Sequence, residues 1–309
     1  MTTSHRDGMT AHPINKVIQL KNATCPYCGR PFSDDLPFTK EHVVGRRFVP
    51  NGTLHGMPNL LLRACAPCNG AKSDLEDDIS VISMHPDAHG RFAVDDARLR
   101  EAVQRKANKA ISRRTRKPVA AGDPPLIIKG TMGPSVSMTF TMHAPPQVDE
   151  ARLFALARAQ LMGFFYWLTY QPAEARGHWW VGEHFPLLAI RRPDWGNPQL
   201  RWFETHTKTW AGRLMFVTAD GFYKVWIRRE TETSLVWAWS MEWNQNFRLV
   251  GFFGDPEAIQ THIAAMPALA MDTLHEAPGR SLRMRLDTPL AQSDDTLFAW
   301  DLDEPLEAA

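Results

Sequence analysis

Four cysteines, standing as Cys25-Pro-Tyr-Cys28 and Cys65-Ala-Pro-Cys68, restrict this chain more than any other feature. A CxxC pair closes into a tight knuckle that presents two thiolates to one ion, and two knuckles complete the tetrahedral sulfur set that Zn²⁺ prefers in closed structural sites. The alternatives are two disulfides or two redox dithiols. Met1 to Asn15 carries His5, Arg6, Asp7, His12 and Pro13 without an apolar core, which argues against a secretory signal and so against disulfides. A redox CxxC does not ordinarily come twice. The expectation is structural zinc on Cys25, Cys28, Cys65 and Cys68. Such a set supplies folding free energy and leaves no coordination position for chemistry.

Charge and residue type divide the 309 residues unevenly. Up to Val148 there are 20 Lys and Arg against 13 Asp and Glu, a net +7; beyond it there are 15 against 21, a net −6. All 4 Cys precede that cut and all 11 Trp follow it, starting at Trp167. The predicted organisation is a metal-framed unit over 1–97, a basic helix and linker over 98–125, and a Trp-rich α+β domain with an acidic tail over 126–309. Hydrophobic residues at 44% and charged residues at 22% fit a globular chain and exclude a mainly disordered one. The best apolar run, Leu161 to Tyr170, is too short to cross a bilayer. The reading from sequence is therefore a cytoplasmic protein with no membrane partner.

Inside and just after the cysteine frame, Thr39-Lys40-Glu41-His42-Val43-Val44 reads as a strand that carries a carboxylate beside an imidazole. Pro58-Asn59-Leu60-Leu61-Leu62 reads as a second strand, and Cys68-Asn69-Gly70-Ala71-Lys72-Ser73-Asp74 as the opening of a helix. At these residues the chain resembles the HNH endonucleases, whose ββα-metal fold is often framed by two CxxC pairs. The family pattern is an acidic residue followed by His, an Asn before an apolar strand, and a CxxC followed directly by Asn or His. It stands here as Glu41-His42, Asn59 and Cys68-Asn69. The resemblance covers about residues 24–76 and leaves the rest of the chain unassigned.

The resemblance implies a division of labour. His42 is the general base toward water, since a neutral imidazole can accept a proton near pH 7. Glu41 and the amide oxygen of Asn69 are hard ligands for one Mg²⁺ or Mn²⁺. Asn59 fixes the His42 backbone, and Lys72, one helical turn beyond Asn69, contacts phosphate. Neighbouring strand residues point to opposite faces, so Glu41 and His42 need a twist or bulge to serve one site. Taken alone, Asn69 could equally be a helix N-cap.

From Arg98 to Lys117 nine cations face the single acid Glu101. The apolar residues Leu99, Val103, Ala107, Ala110 and Ile111 recur near helical spacing, which predicts an amphipathic basic helix ending before Pro118. With Arg46 and Arg47, the residues Arg105, Lys106, Lys109, Arg113 and Arg114 are the candidate phosphate contacts, a binding mode that depends steeply on salt. A solvated helix face is the plainer alternative.

In the second half, strands are predicted at Leu126–Lys129, Ser135–Met142, Leu214–Thr218, Phe222–Arg229 and Ser234–Trp243, and a helix at Val148–Thr169. The Asp-Gly between the third and fourth strands predicts an antiparallel meander. Trp237, Trp239, Met241 and Trp243 recur at period two, as a buried stripe or as a platform for stacking bases. The His178-Trp-Trp-Val-Gly-Glu183-His184 stretch reads as structural, and the acidic stretch from Asp294 as a solvated tail.

These readings converge on an α+β protein, a zinc-stabilised ββα-metal nuclease unit followed by a mixed domain with an antiparallel sheet. The implied activity is hydrolysis of DNA phosphodiesters, with the second domain selecting the target or sensing a signal, in defence, restriction or mobile-element biology. A homodimer is compatible with the sequence. The rival reading is a non-catalytic zinc module that binds nucleic acid, with a C-terminal protein-interaction domain.

Overall fold

The computed structural model describes residues 17–299 except 88, 133–135, 143 and 278–279. The N-terminal stretch read above for a signal, and Asp301, Asp303, Glu304 and Glu307 of the acidic tail, lie outside the described residues. The fold is α+β, and its strand pairs are antiparallel except for one short parallel pair, Ile18–Gln19 against Leu60–Leu61. No helix among the described residues is long and apolar enough to cross a membrane.

The first half builds a small sheet from β1 (Ile18–Gln19), β2 (Phe38–His42) and β3 (Leu60–Cys65), in the order β1-β3-β2. Strands β2 and β3 pair antiparallel without irregularity, Glu41 opposite Leu62 and His42 opposite Leu61. Strand β3 runs straight into helix α1 (Ala66–Met84), which starts two residues before the predicted opening. Cys65 is the N-cap with extended backbone, and Pro67 sits in the first turn, where a missing N–H costs nothing. The helix stops at His85, because the following Pro86 disfavours helical backbone in the residue before it.

The basic helix is shorter than predicted. Helix α2 spans Ala97–Lys106, capped by the Asp96 carboxylate. Beyond it the chain folds back, with the Ala120 and Val119 amides donating to the Ala107 and Ala110 carbonyls. A continued helix would need those carbonyls for residues 111 and 114, and burying Val119 settles the competition.

After a hairpin of β4 (Leu126–Met132) and β5 (Val136–Met142) comes helix α3 (Glu150–Leu168), capped by Asp149. The rest of the chain supplies β6 (Glu183–Arg191), α4 (Pro198–Thr207), β7 (Ala211–Thr218), β8 (Tyr223–Arg229), β9 (Val236–Trp243), β10 (Phe247–Gly254) and α5 (Pro256–Ala264). A final hairpin pairs β11 (Asp272–Ala277) with β12 (Arg280–Met284). The large sheet has the order β6-β10-β9-β8-β7 and every pair is antiparallel. The predicted meander is its β7-β8-β9 part; β6 and β10 were not anticipated. Strand β10 is buried along its whole length, so it lacks the alternation that marks a half-exposed strand. Its entry turn, Asn244-Gln245, has φ of 52° and 54°, as the two-residue hairpin turn matching strand twist requires.

Period two now decides the core. Trp239, Met241 and Trp243 point to one face with Leu249 and Phe253, while Val236, Ala238, Val250 and Phe252 point to the other. The second face is covered by Phe203 of α4 and Ile259 of α5. The first packs on α3 and on the N-terminal unit: Phe165 meets Trp237 edge-on at 5.3 Å, and Phe48 meets Trp243 at 5.1 Å. The tryptophan stripe is therefore core, as expected, and the two halves share it. Gly163 permits the close approach, since a Cβ there would lie 2.7 Å from a Val43 methyl.

Polar contacts stitch the same seam. The Asn246 amide donates to the Ser83 and His85 carbonyls at the end of α1, at 3.0 and 3.3 Å, and the Asn244 amide donates to Ser83 Oγ at 2.7 Å. The start of the acidic stretch is docked rather than solvated. Asp295 pairs with the buried Arg248 at 2.5 Å, and the Leu297 carbonyl accepts from the Trp226 indole at 2.9 Å.

Candidate functional site

The four cysteine sulfurs lie within 4.8 Å of one another, with Cys28 Sγ 3.8 Å from Cys65 Sγ, and none forms a disulfide. Four sulfurs at about 2.3 Å from a tetrahedral centre would stand roughly 3.75 Å apart, so the set fits a metal ion and is compatible with structural zinc. The first knuckle is closed by the Cys25 amide donating to the Arg30 carbonyl and the Gly29 amide donating to the Cys25 carbonyl, both at 2.9 Å. Gly29, at φ +72°, also leaves room for Trp179. The second knuckle is the junction of β3 and α1 itself. Among the described residues this is the one His, Cys, Asp and Glu group placed to hold a metal. His184 of the His178–His184 stretch instead stacks on Trp239 at 5.4 Å, its pKa lowered to about 4 by burial and then by Arg158.

Next to the knuckles a chain of polar groups runs under the β2–α1 junction. Glu41, 4% exposed, accepts on Oε1 from the Tyr27 hydroxyl at 2.9 Å and from the Lys72 ammonium at 2.8 Å. Lys72 Nζ also reaches Glu76 Oε1 at 2.7 Å and the His42 carbonyl at 3.1 Å. The sequence placed Lys72 at phosphate; at 3% exposure, with three acceptors around it, it is instead the cation at the centre of a buried network. Burial pulls its pKa down, but Glu76 and Glu41 outweigh that and hold it above the ordinary lysine value. Burial raises the Glu76 carboxyl. Burial and then Glu41 raise the Tyr27 phenol, which stays protonated as a donor.

His42 ends β2 with no bulge in the pairing, yet it borders the same cleft as Glu41. Burial first, then Arg46 and Lys40, hold its imidazole below the ordinary histidine value, so it is neutral at pH 7. Asn59 acts two residues away from the expected place. Its amide donates to the Val44 carbonyl at 3.0 Å and its oxygen accepts from the Leu60 amide at 2.8 Å, while the His42 carbonyl belongs to Lys72. Asn69 lies inside the first turn of α1 and is not the cap. Its Nδ2 donates to Thr39 Oγ1 at 2.9 Å, which leaves the amide oxygen outside that bond.

A cleft of about 780 Å³ brings these residues together with the cations. Glu41, His42 and Asn69 share its lining with Arg46, Arg47, Arg105, Lys106 and Lys109. Lys106 donates to the Arg47 carbonyl at 2.6 Å, and burial, Arg105 and Arg47 lower its pKa to about 8. Arg113 and Arg114 do not join the lining. Arg113 is drawn to the acidic edge of α1, pairing with Asp74 at 2.7 Å and Asp77 at 3.4 Å, and Arg114 pairs with Asp123 at 3.5 Å. Arg152 of α3 binds the same edge through Asp74 and Asp78. Tyr27 and Glu76 were missed in the sequence. Glu76 was within reach, standing one turn past Lys72 and two past Asn69 on the same helix face.

Comparisons with protein-family models, curated proteins and solved structures find no match to this chain.

Proposed function

We propose that the chain is a metal-dependent endonuclease of the HNH type that hydrolyses DNA phosphodiesters, with zinc in the four-cysteine set. The single observation that carries the reading is the cleft in which a neutral His42, the oxygen donors Glu41 and Asn69, and six cations, Lys40 among them, meet beside the four cysteines. Its cations match the charge of a phosphate backbone. His42 takes the proton of the attacking water, and its depressed pKa keeps the accepting nitrogen free at neutral pH. Arg46, Arg47, Arg105, Lys106 and Lys109 hold the flanking phosphates. Glu41 Oε2 and Asn69 Oδ1 suit one Mg²⁺ or Mn²⁺, because Glu41 spends Oε1 on Tyr27 and Lys72, and Asn69 turns its nitrogen to Thr39. When bound, that ion supplies charge stabilisation at the phosphoryl and leaving oxygens. Defence, restriction and mobile-element roles all accommodate this chemistry, with the Trp-rich half selecting the target.

The rival, a zinc module that binds nucleic acid without cutting it, draws support from the Lys72 ammonium, which already neutralises Glu41. Cleavage of supercoiled plasmid with Mg²⁺ or Mn²⁺ separates the two. Wild type is expected to nick or linearise the plasmid and His42→Ala at equal zinc content is not. Binding without cutting by both proteins would favour the module.

A further inference from the structure

Both ligands proposed for the catalytic ion are attached to the cysteine knuckles. Asn69 follows Cys68 directly in the chain. Glu41 is reached from the other knuckle, because Tyr27 stands between Cys25 and Cys28 and its hydroxyl donates to Glu41 Oε1 at 2.9 Å. The knuckle that carries Tyr27 is itself pinned from the second half of the chain, since the Trp179 indole donates to the Pro26 carbonyl at 2.6 Å. Lys72 meets the same Glu41 oxygen from the opposite element, α1. Two donors on one oxygen fix the carboxylate's rotation and leave the other oxygen for the cleft that Glu41 borders.

We infer that Tyr27 is a positioning residue that orients Glu41 toward its divalent ion and thereby makes that ion's affinity depend on the four-cysteine centre. This rests on the nuclease reading above. Partners that orient a metal-binding carboxylate commonly contribute about 10- to 100-fold in metal affinity. Lys72 alone cannot replace Tyr27, because its ammonium is shared with Glu76 and the His42 carbonyl.

The test is Mn²⁺ binding to the full-length, zinc-loaded protein, followed by the loss of the free Mn²⁺ signal in electron paramagnetic resonance. Wild type should bind one Mn²⁺, and Tyr27→Phe should bind it at least about tenfold more weakly while keeping its zinc and a cooperative thermal transition. In a Glu41→Gln background the same Tyr27→Phe change should cause no further loss, because the hydroxyl acts through Glu41. Equal affinity of wild type and Tyr27→Phe, or an additive loss in the double variant, overturns the inference and leaves the nuclease reading standing. Absence of Mn²⁺ binding by wild type overturns both the inference and the catalytic ion. Should Tyr27→Phe fail to fold, the Tyr27 ring signals of wild type should shift in NMR on Mg²⁺ addition; unshifted signals overturn the inference without a variant.

Discussion

Replacing Lys72 with methionine preserves the length of the side chain and deletes the one cation between two buried acids. The ammonium stands 2.8 Å from Glu41, 2.7 Å from Glu76 and 3.1 Å from the His42 carbonyl. Removing one partner of a buried ion pair costs about 3–5 kcal/mol, because the other charge stays behind without compensation. Two acids are stranded here, so the loss at neutral pH should fall in the upper part of that range. The stranded groups also fix the sign of a pH effect. Burial already raises the Glu76 carboxyl above its ordinary value of 4.5, with Lys72 the leading force against it. Without Lys72 it rises further. A carboxyl raised in the fold stabilises below its unfolded value, and that contribution is lost as pH climbs through the folded value. The deficit of Lys72→Met should therefore be large at about pH 7.5 and clearly smaller at about pH 5. Urea unfolding followed by tryptophan fluorescence measures both, and the pH dependence of the cysteine set is common to both proteins and cancels in the difference. A deficit below about 1 kcal/mol, or one of equal size at both pH values, would refute a buried network centred on Lys72.

The cleft makes a second distinction testable. Arg105→Ala with Lys109→Ala should weaken plasmid binding and flatten its salt dependence by roughly two counterions, whereas Arg113→Ala should leave both unchanged, as gel-shift titrations over a salt series would show. Trp243→Ala removes a fully buried ring that touches Phe48 across the seam and should cost about 3–5 kcal/mol in urea unfolding.

The cysteine frame was legible because metal chemistry reads residue type and spacing, and both are written in the chain. The β9 stripe was legible for a similar reason, since period two assigns Trp239 and Trp243 to one face whatever covers it. Helix α3 was found within two residues at its start, because Asp149 caps it and its apolar residues recur at helical spacing. What stayed hidden depends on long-range competition. A Lys and Glu four apart read equally as a solvated surface pair, and only the approach of Glu41 from β2 makes Lys72 an internal cation. Arg113 reads as a phosphate ligand until the acidic edge of α1 is seen to lie against it. The end of α2 was set by residues 119 and 120 returning to take the Ala107 and Ala110 carbonyls just past it, which no local propensity encodes.

The grip of Asn244 and Asn246 on α1 also bears on the order in which the chain can be made. Helix α1 is a rod of roughly 28 Å, with Asn69 in its first turn and its last carbonyls held by the β9–β10 turn. That turn lies about 160 positions further on. A ribosome adding residues at about 5–20 per second therefore leaves the far end of the rod uncapped, and Val43 and Phe48 uncovered, for roughly ten to thirty seconds. During that interval the nascent unit has only the ties made within it, the cysteine set and the Glu41–Lys72–Glu76 network among them. Metal captured early would hold the knuckles and the first turn of α1 in register until the tryptophan sheet arrives to close the core.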